Sequence, residues 1–349
     1  MTAPVPTPAG YQHSPRPSYD HGIAIPRCQA ARHVWGDGES GEILDLVYVS
    51  NDRIHQLLFE IPAGGQFTHS ADFRTIFGAD EVMYVVDGCV ALADPQSGTV
   101  TRIEAGDAAF FGPDTWHHAF NWGPGPARIL EYFAPPPATG TSGAYAQRQP
   151  YLLASQYTDD SVLGTIIPGQ GRAGRPRLAV VRPEAYAWRL DGDRDRVLTG
   201  IIASTPHLTA ARCEVRGPRW SGWISHHGDV GGYVLSGGLA LWLAGRGRGW
   251  DELRPGDGFF VPAGERYQVR GLDGGASYLT GYAPTGRPTA QRPTAQPPRA
   301  QPPTAQPQTA ELENPQSRTR VGSPAQPPPT GPDTTRPDTS PLTPEPREA

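Results

Sequence analysis

Short runs of β-branched and aromatic residues recur along most of the chain, separated by turns rich in Gly, Asp, Asn and Pro. The clearest runs cover residues 82–86, 89–93, 108–111, 128–133, 233–235, 239–243, 258–261 and 277–282. Runs of this kind are typical of β-strands, and segments with the periodicity of an amphipathic helix are scarce. Because many short strands at close intervals favour a closed sandwich or barrel, we predict an all-β fold.

The strand pattern occurs twice along the chain. The segment EVMYVVDGCVAL at 81–92 is matched by VGGYVLSGGLAL at 230–241, and GDAAFFGPDTWHHAFN at 106–121 is matched by GDGFFVPAGERYQVRG at 256–271. The two matches give offsets of 149 and 150 residues, so we predict a duplicated domain. The first copy is placed at 26–138 and the second at 177–284, with an extended N-terminal arm at 1–25 and a connector at 139–176.

The C-terminal part of the chain has a different composition. Residues 284–349 hold 18 of the 40 prolines and no Phe, Tyr or Trp. A segment without large apolar side chains cannot bury enough surface to offset the entropy lost on folding. We therefore predict a disordered tail rich in Pro, Thr, Ala and Gln at 285–349, outside the folded copies.

Composition excludes several kinds of chemistry and partner. The chain has no Lys, which removes Schiff-base chemistry and a P-loop lysine. A net charge of −5 without a basic stripe argues against nucleic-acid binding. The three cysteines form no CxxC pair, and neither a secretory signal nor a run long enough for a membrane helix is visible. We expect a cytoplasmic protein that does not bind membranes and forms, as one option, a homodimer.

The strongest motif lies in the first copy. Glu81 is followed after six residues by Gly88, and residues 106–121 carry the pattern G-x5-G-x-D-x-x-H-x-x-x-N. These segments resemble the two motifs of the cupin superfamily, with Gly112 and Asp114 where cupins usually have Pro and Gly. Residues 256–267 fit the second motif with Tyr267 in place of the histidine. The resemblance implies two tandem cupin-type jelly-roll β-barrels.

The resemblance also implies a metal site. Cupins usually bind one divalent metal through an HxH pair, a glutamate and a histidine of the second motif, and here Glu81 and His117 match the last two. The HxH positions are not histidines; they fall on Arg74 and Ile76 or on Thr75 and Phe77. We expect His69 to supply the third ligand. Imidazole and carboxylate suit one Fe(II) per chain, our first choice, with Mn(II), Ni(II) or Zn(II) as alternatives.

Other polar residues near the motifs are candidates for supporting roles. His118 must point away from its neighbour His117 in a regular strand, and it and Tyr84 are our candidates for acid/base catalysis. A buried Glu81 needs either a metal or a cationic partner, for which Arg74 is the candidate. The second copy has Val230 at the glutamate position, so we expect it to bind no metal. A site of another type built from His226, His227 and Asp229 is an alternative.

Three functions remain open at this point. The first is a non-heme iron dioxygenase that uses the first copy to oxidise a small organic substrate, similar to bicupin aromatic-ring dioxygenases. The second is a metal-dependent isomerase, decarboxylase or lyase without redox chemistry. The third is a metal-free cupin that binds a small ligand in an apolar barrel. We favour an enzyme over a binding protein.

Overall fold

The computed structural model describes residues 13–135, 144–158, 178–191, 197–217 and 219–284. Regular structure in these residues is almost entirely β, which confirms the predicted fold class. The predicted tail at 285–349 lies outside the described residues, as do residues 1–12 of the arm and much of the connector. The chain divides into two compact units, residues 1–298 and 299–349, and all described residues belong to the first. No helix among them is long and apolar enough to cross a membrane.

The N-terminal part of the structure forms a barrel from two facing sheets. Its strands, in chain order after the isolated strand β1 (Ile23–Ile25), are β2 (Ala31–Trp35), β3 (Ile43–Ser50), β4 (His55–Ile61), β5 (Gln66–Phe67), β6 (Asp80–Asp87), β7 (Cys89–Asp94), β8 (Thr99–Glu104), β9 (Ala108–Phe111), β10 (His118–Asn121) and β11 (Ala127–Ala134). One sheet has the order β9-β6-β11-β4-β3-β2 and the other β5-β10-β7-β8, with antiparallel pairing throughout.

The second barrel repeats this arrangement with longer strands. A short helix α1 (Ala144–Arg148) precedes it, and its strands follow β12 (Leu178–Val181): β13 (Ala187–Asp191), β14 (Val197–Ser204), β15 (Thr209–Val215), β16 (Asp229–Leu243), β17 (Asp251–Leu253), β18 (Gly258–Val261) and β19 (Tyr267–Ala283). The order is β18-β16-β19-β15-β14-β13, with β17 paired to β16. Short 3-10 helices occur at Arg27–Gln29, Gln156–Thr158, Pro183–Ala185 and Ala244–Arg246.

Each barrel receives an edge strand from outside its own sequence segment. Strand β1 pairs with β18 of the second barrel, where Ile23 lies opposite Phe260. Strand β12 pairs with β9 of the first barrel. An added strand satisfies backbone groups that an open sheet edge would leave unpaired. The exchange ties the arm to the second barrel and the start of the second copy to the first barrel.

A shared apolar core lies between the two barrels. Alternate residues on the large sheet of the first barrel point out of that barrel and pack against the second. This core includes Tyr48, Tyr84, Leu130, Tyr132, Tyr233, Phe260 and Leu279. Two hydrogen bonds also join the barrels: Tyr48 donates to the Gly256 carbonyl at 2.6 Å, and Gln56 donates to the Gly232 carbonyl at 2.9 Å. Gly281 lies so close to the Tyr132 ring that a Cβ would overlap it.

The motif turn has the same backbone in both copies. Asp114 adopts φ 60°, and Gly264 at the equivalent position adopts φ 80°. Asp is one of the few L-residues that visit this left-handed region without a large penalty. The departure from the cupin motif at Asp114 therefore leaves the turn intact.

The outer faces of the small sheets differ between the barrels. Residues 144–158 cover the first one: Tyr157 packs edge-on against Phe120 at 5.9 Å, and Gln156 donates a hydrogen bond to the Pro95 carbonyl. The second carries what we call the tryptophan face, formed by Trp220, Trp223, Trp242, Trp250, Arg266 and Arg270. The Arg266 guanidinium lies 5.3 Å from the Trp223 ring centre, and that of Arg270 lies 5.3 Å from Trp220.

Candidate metal centre

Three ionisable side chains meet inside the first barrel. Glu81 on β6 and Glu131 on β11 point inward at diagonal positions of adjacent strands, because Glu131 pairs with Met83 and Phe133 pairs with Glu81. His117 precedes β10 on the facing sheet. One ligand atom from each of the three lies within 4.8 Å of the other two, and all three residues are buried.

Hydrogen bonding fixes the ring of His117. Its Nδ1 lies 3.2 Å from the Thr115 carbonyl oxygen, which can only accept, so the ring proton is on Nδ1. Phe67, Phe77 and Phe111 pack around the ring, with Phe77 stacked at 5.6 Å. Burial lowers the pKa of His117 to about 4, so the imidazole is neutral at pH 7. Its Nε2 lone pair therefore faces the barrel interior.

The Nε2 lone pair points at another acceptor. Glu81 Oε1 lies 3.3 Å from His117 Nε2, and neither atom has a hydrogen-bond partner. Glu131 Oε1 is likewise buried without a partner. Buried acceptors without donors cost free energy unless a proton or a cation lies between them. A carbonyl that orients a histidine from behind is also the usual support of a metal-bound imidazole.

Glu81 and Glu131 influence each other's protonation. Burial raises the pKa of both Glu81 and Glu131, and a hydrogen bond joins their carboxyl groups. Such a bond requires a proton on one of the two groups, because two carboxylates have only acceptors. A divalent cation would replace this proton and compensate both charges. One imidazole nitrogen and two carboxylates are suitable ligands for Mn(II) or Fe(II).

A small cavity adjoins the cluster. Its volume is about 40 Å³, and aromatic and aliphatic side chains form most of its walls. Glu131, Asp45 and His55 add polar groups, and His55 Nδ1 is buried without a partner. Burial, reinforced by the charge of Glu131, raises the pKa of Asp45, whereas burial lowers that of His55 to about 4. The cavity thus holds a protonatable acid and a neutral imidazole beside the cluster.

Comparison with known proteins supports the architecture. The structure is similar to oxalate decarboxylase OxdC of Bacillus subtilis, with TM-score 0.54 and 12% identity over 79% of this chain and 81% of that one. It is similar to a putative glyoxylate induced protein of Pseudomonas aeruginosa, with TM-score 0.53 and 16% identity over 85% of this chain and 99% of that one. Protein Ylba of E. coli matches with TM-score 0.51 and 12% identity, over 75% and 90% of the two chains.

The fold is a duplicated cupin barrel. No family model matches the sequence, and a search of curated proteins finds no match either. At these sequence identities the similarity concerns the fold alone.

His69 lies apart from the cluster in the first cupin barrel. Its Nδ1 is 2.7 Å from His118 Nε2, and its Nε2 is 3.0 Å from the Leu152 carbonyl. The ring packs against Trp116 and Tyr151. The structure thus brings Glu81 and His117 together with Glu131 and directs both nitrogens of His69 to other partners.

His118 belongs to the same group as His69. It starts β10 and points to the face opposite His117, under residues 144–158, where its Nδ1 lies 2.9 Å from the Tyr157 hydroxyl. Burial lowers its pKa to about 3. Both ring nitrogens are used in this contact layer, outside the barrel cavity. This placement does not fit the acid/base role that we expected for His118.

Tyr84 lies on the other side of the sheet from Glu81. The two residues are three apart on β6, and an odd separation places side chains on opposite faces. Tyr84 is buried in the core shared by the two barrels, where burial raises its pKa. Its expected role in acid/base catalysis does not fit this position.

Arg74 is not the partner of Glu81 either. Its guanidinium donates to the carbonyls of Ala146 and Gln149 at 3.2 and 3.1 Å and lies over the Tyr151 ring. Arg74 therefore anchors residues 144–158. The uncompensated acceptors of the cluster remain those of Glu81, His117 and Glu131.

The second barrel has none of these ligands. The residues that pair like Glu81 and Glu131 are Val230 and Thr280, and Tyr267 replaces His117. The alternative trio of His226, His227 and Asp229 is also not brought together: His226 is buried beside Tyr267, His227 is exposed, and Asp229 binds Arg53 and Asn51 of the first barrel.

Proposed function

We propose that the first barrel binds one divalent metal through Glu81, His117 and Glu131, and that the chain is a metal-dependent enzyme for a small organic acid. The observation that carries this proposal is the facing pair of buried acceptors, Glu81 Oε1 and His117 Nε2, at 3.3 Å. A fixed imidazole tautomer and two adjacent carboxyl groups form a donor set that suits Mn(II) or Fe(II). Fe(II) was the first choice from sequence, and the second carboxylate gives Mn(II) equal standing.

The cavity favours a small substrate. A water occupies about 10–15 Å³ of such space, so about 40 Å³ holds three waters or a ligand of only a few non-hydrogen atoms. An aromatic ring needs more room, which favours decarboxylation, isomerisation or lyase chemistry over ring cleavage by a dioxygenase. The similar fold of the Bacillus subtilis oxalate decarboxylase supports a small acid as the substrate class.

The residues of the chain have separable roles in this reaction. When bound, a divalent metal polarises a carboxyl or carbonyl oxygen as a Lewis acid. Asp45, whose pKa is raised, can donate a hydrogen bond or proton to a substrate oxygen. His55, neutral with a free Nδ1, can accept or return a proton. The surrounding Phe59, Phe67 and Phe133 exclude water and strengthen these interactions.

Metal content of purified variants tests the proposal. We expect about one equivalent of Mn or Fe in the wild type and a loss of at least about tenfold in affinity for Glu81→Gln, His117→Ala and Glu131→Gln. The matched control is His69→Ala, which removes a half-buried imidazole outside the cluster and should retain the metal. Loss of metal in His69→Ala with retention in Glu131→Gln would contradict the assignment.

Oxygen dependence separates the two enzymatic functions. A non-redox lyase or isomerase keeps its turnover of small carboxylic acids under nitrogen, whereas a dioxygenase consumes O₂ with substrate. The metal-free binding function is supported instead if the wild type holds less than about a tenth of an equivalent of any transition metal.

A further inference from the structure

The second barrel contains a separate cavity that is lined in part by polar side chains. It has a volume of about 30 Å³ and lies where the first barrel has its metal cluster and cavity. Its polar lining consists of Arg189, Asp191, Thr199, Cys213, His226 and Thr280, together with three tyrosines. An enclosed space with converging polar groups is the usual form of a small-ligand site.

His226 offers an unused hydrogen-bond donor there. The residue is only 6% exposed, and its Nε2 lies 3.2 Å from the Tyr267 hydroxyl. Burial raises the pKa of Tyr267, so the phenol keeps its proton and can donate it to Nε2. We assign the ring proton to Nδ1 on this basis, and Nδ1 is buried without a partner. The imidazole is neutral at pH 7, because burial lowers its pKa to about 4.

Arg189 supplies a second unused donor and a positive charge. Its Nε is buried and has no hydrogen-bond partner. The nearest acid is Asp191, whose Oδ1 lies 3.3 Å from Nε, but the N–H is not aligned for a hydrogen bond. Asp191 Oδ2 instead accepts a hydrogen bond from the Thr199 hydroxyl at 2.8 Å. Asp191 therefore partly balances the charge of Arg189 and leaves its Nε–H available.

We propose that this cavity binds a small carboxylate of three or four non-hydrogen atoms, held by Arg189 Nε and His226 Nδ1. Both residues line one cavity, both nitrogens are buried without a partner, and a carboxylate has two oxygens to accept from the two donors. About 30 Å³ is room for roughly two waters, which limits the ligand to the size of formate or acetate. The site needs no metal and is independent of the proposed function of the first barrel.

Direct binding of acetate to the full chain tests this site. The experiment uses the Glu131→Gln variant as background, so that acetate at the metal centre is not counted, and measures bound acetate by equilibrium dialysis. We expect one equivalent to bind. In the same background, Arg189→Gln and His226→Phe should each weaken binding by about tenfold or more, the loss typical of one charge-assisted hydrogen bond.

Two controls separate the site from general effects. Acetamide has the shape of acetate without the charge, and it should bind at least about tenfold more weakly than acetate to the Glu131→Gln protein, a comparison that needs no substitution in the second barrel. His207→Ala, an exposed histidine of the same barrel, should leave acetate binding unchanged. The proposal is overturned by equal binding of acetamide, by unchanged binding in Arg189→Gln and His226→Phe, or by no saturable binding up to about 100 mM acetate.

Discussion

The two barrels have matching strand registers and contrasting interiors. Positions that carry ionisable groups in the first barrel carry neutral ones in the second, as the strand pairing shows: Asp45 and Thr199, His55 and Thr209, Glu81 and Val230, His117 and Tyr267, Glu131 and Thr280. The reverse holds for Phe77, which matches His226, whereas Phe133 matches Tyr282. The comparison teaches that one scaffold holds a cluster of buried ionisable groups in one copy and phenols and hydroxyls in the other, through changes at inward positions.

Exchanging Glu81 and Val230 between the two equivalent positions should give the largest change in the free energy of unfolding. Val230→Glu places a carboxyl group in the second barrel without a metal or partner, and we expect a loss of about 3–5 kcal/mol in the free energy of unfolding. Glu81→Val should abolish metal binding while leaving the metal-free protein at least as stable, because a buried carboxyl group is removed. Urea unfolding with elemental analysis measures both. Equal stability losses in the two variants would contradict the proposed difference between the two barrel interiors.

Acid stability should depend on the buried histidine of the second barrel. Burial lowers the pKa of His226 from the ordinary 6.5 to about 4, so below pH 6.5 the unfolded chain binds a proton that the folded chain does not. Stability is then lost as pH falls from about 6.5 to about 4, by about 3 kcal/mol for this residue. His226→Phe, which copies Phe77 of the first barrel, should remove that share. Urea unfolding at several pH values checks this, with His207→Ala as the control that keeps the wild-type slope.

Above the ordinary histidine pKa of about 6.5, the first barrel without metal should become less stable as pH rises. Burial raises the pKa of Glu81 and Glu131, so the folded chain holds a proton that the unfolded chain has lost above its ordinary carboxyl pKa. Stability of the metal-free protein therefore falls as pH rises from mildly acidic to mildly alkaline values, by about 1–3 kcal/mol. Bound Mn(II) or Fe(II) should cancel this fall. A metal-free protein with equal stability at pH 6 and pH 8 contradicts the buried carboxyl pair.

Substitutions on the outer faces of the barrels should give the smallest changes in stability. Arg266→Ala or Arg270→Ala on the tryptophan face removes a guanidinium stacked on an indole, for an expected loss of about 0.5–1 kcal/mol each. Arg248→Ala, an exposed arginine in the neighbouring turn, serves as the control with no measurable loss. Arg74→Ala on the first barrel should cost more, because it also leaves two carbonyls without their donor. Unfolding followed by far-UV circular dichroism measures all four variants.

The fold could be predicted from the sequence because the local patterns that specify its strands and turns occur twice along the chain. Turn residues bounded the strands, and the two motif matches at nearly one offset indicated the duplication. The pairing of β1 with the second barrel and of β12 with the first was not predicted. Edge exchange depends on which sheet edge is free in three dimensions, and no periodicity in a short strand such as Ile23–Ile25 reports it.

The site was accessible only in part. Glu81 and Glu131 carry the same signal, a single carboxylate in an apolar strand. Glu81 was predicted to be a ligand on this basis, whereas Glu131, in RILEYF at 128–133, was not. Strand parity alone would have placed Tyr84 away from Glu81. His69 could not be placed in this way, because it follows the end of β5 in an irregular segment where parity no longer applies.

The uneven distribution of tryptophan has an optical consequence. Four of the eight tryptophans lie on the tryptophan face of the second barrel, whereas Trp35 lines the cavity of the first. Ultraviolet emission of the intact chain is therefore weighted toward the second barrel, and quenching by a paramagnetic ion at the cluster should act mainly on Trp35 and on Trp116, which adjoins His117. Replacing the four indoles of the tryptophan face by Phe would leave Trp35, Trp116, Trp122 and Trp188, and so raise the share of emission that reports on the first barrel.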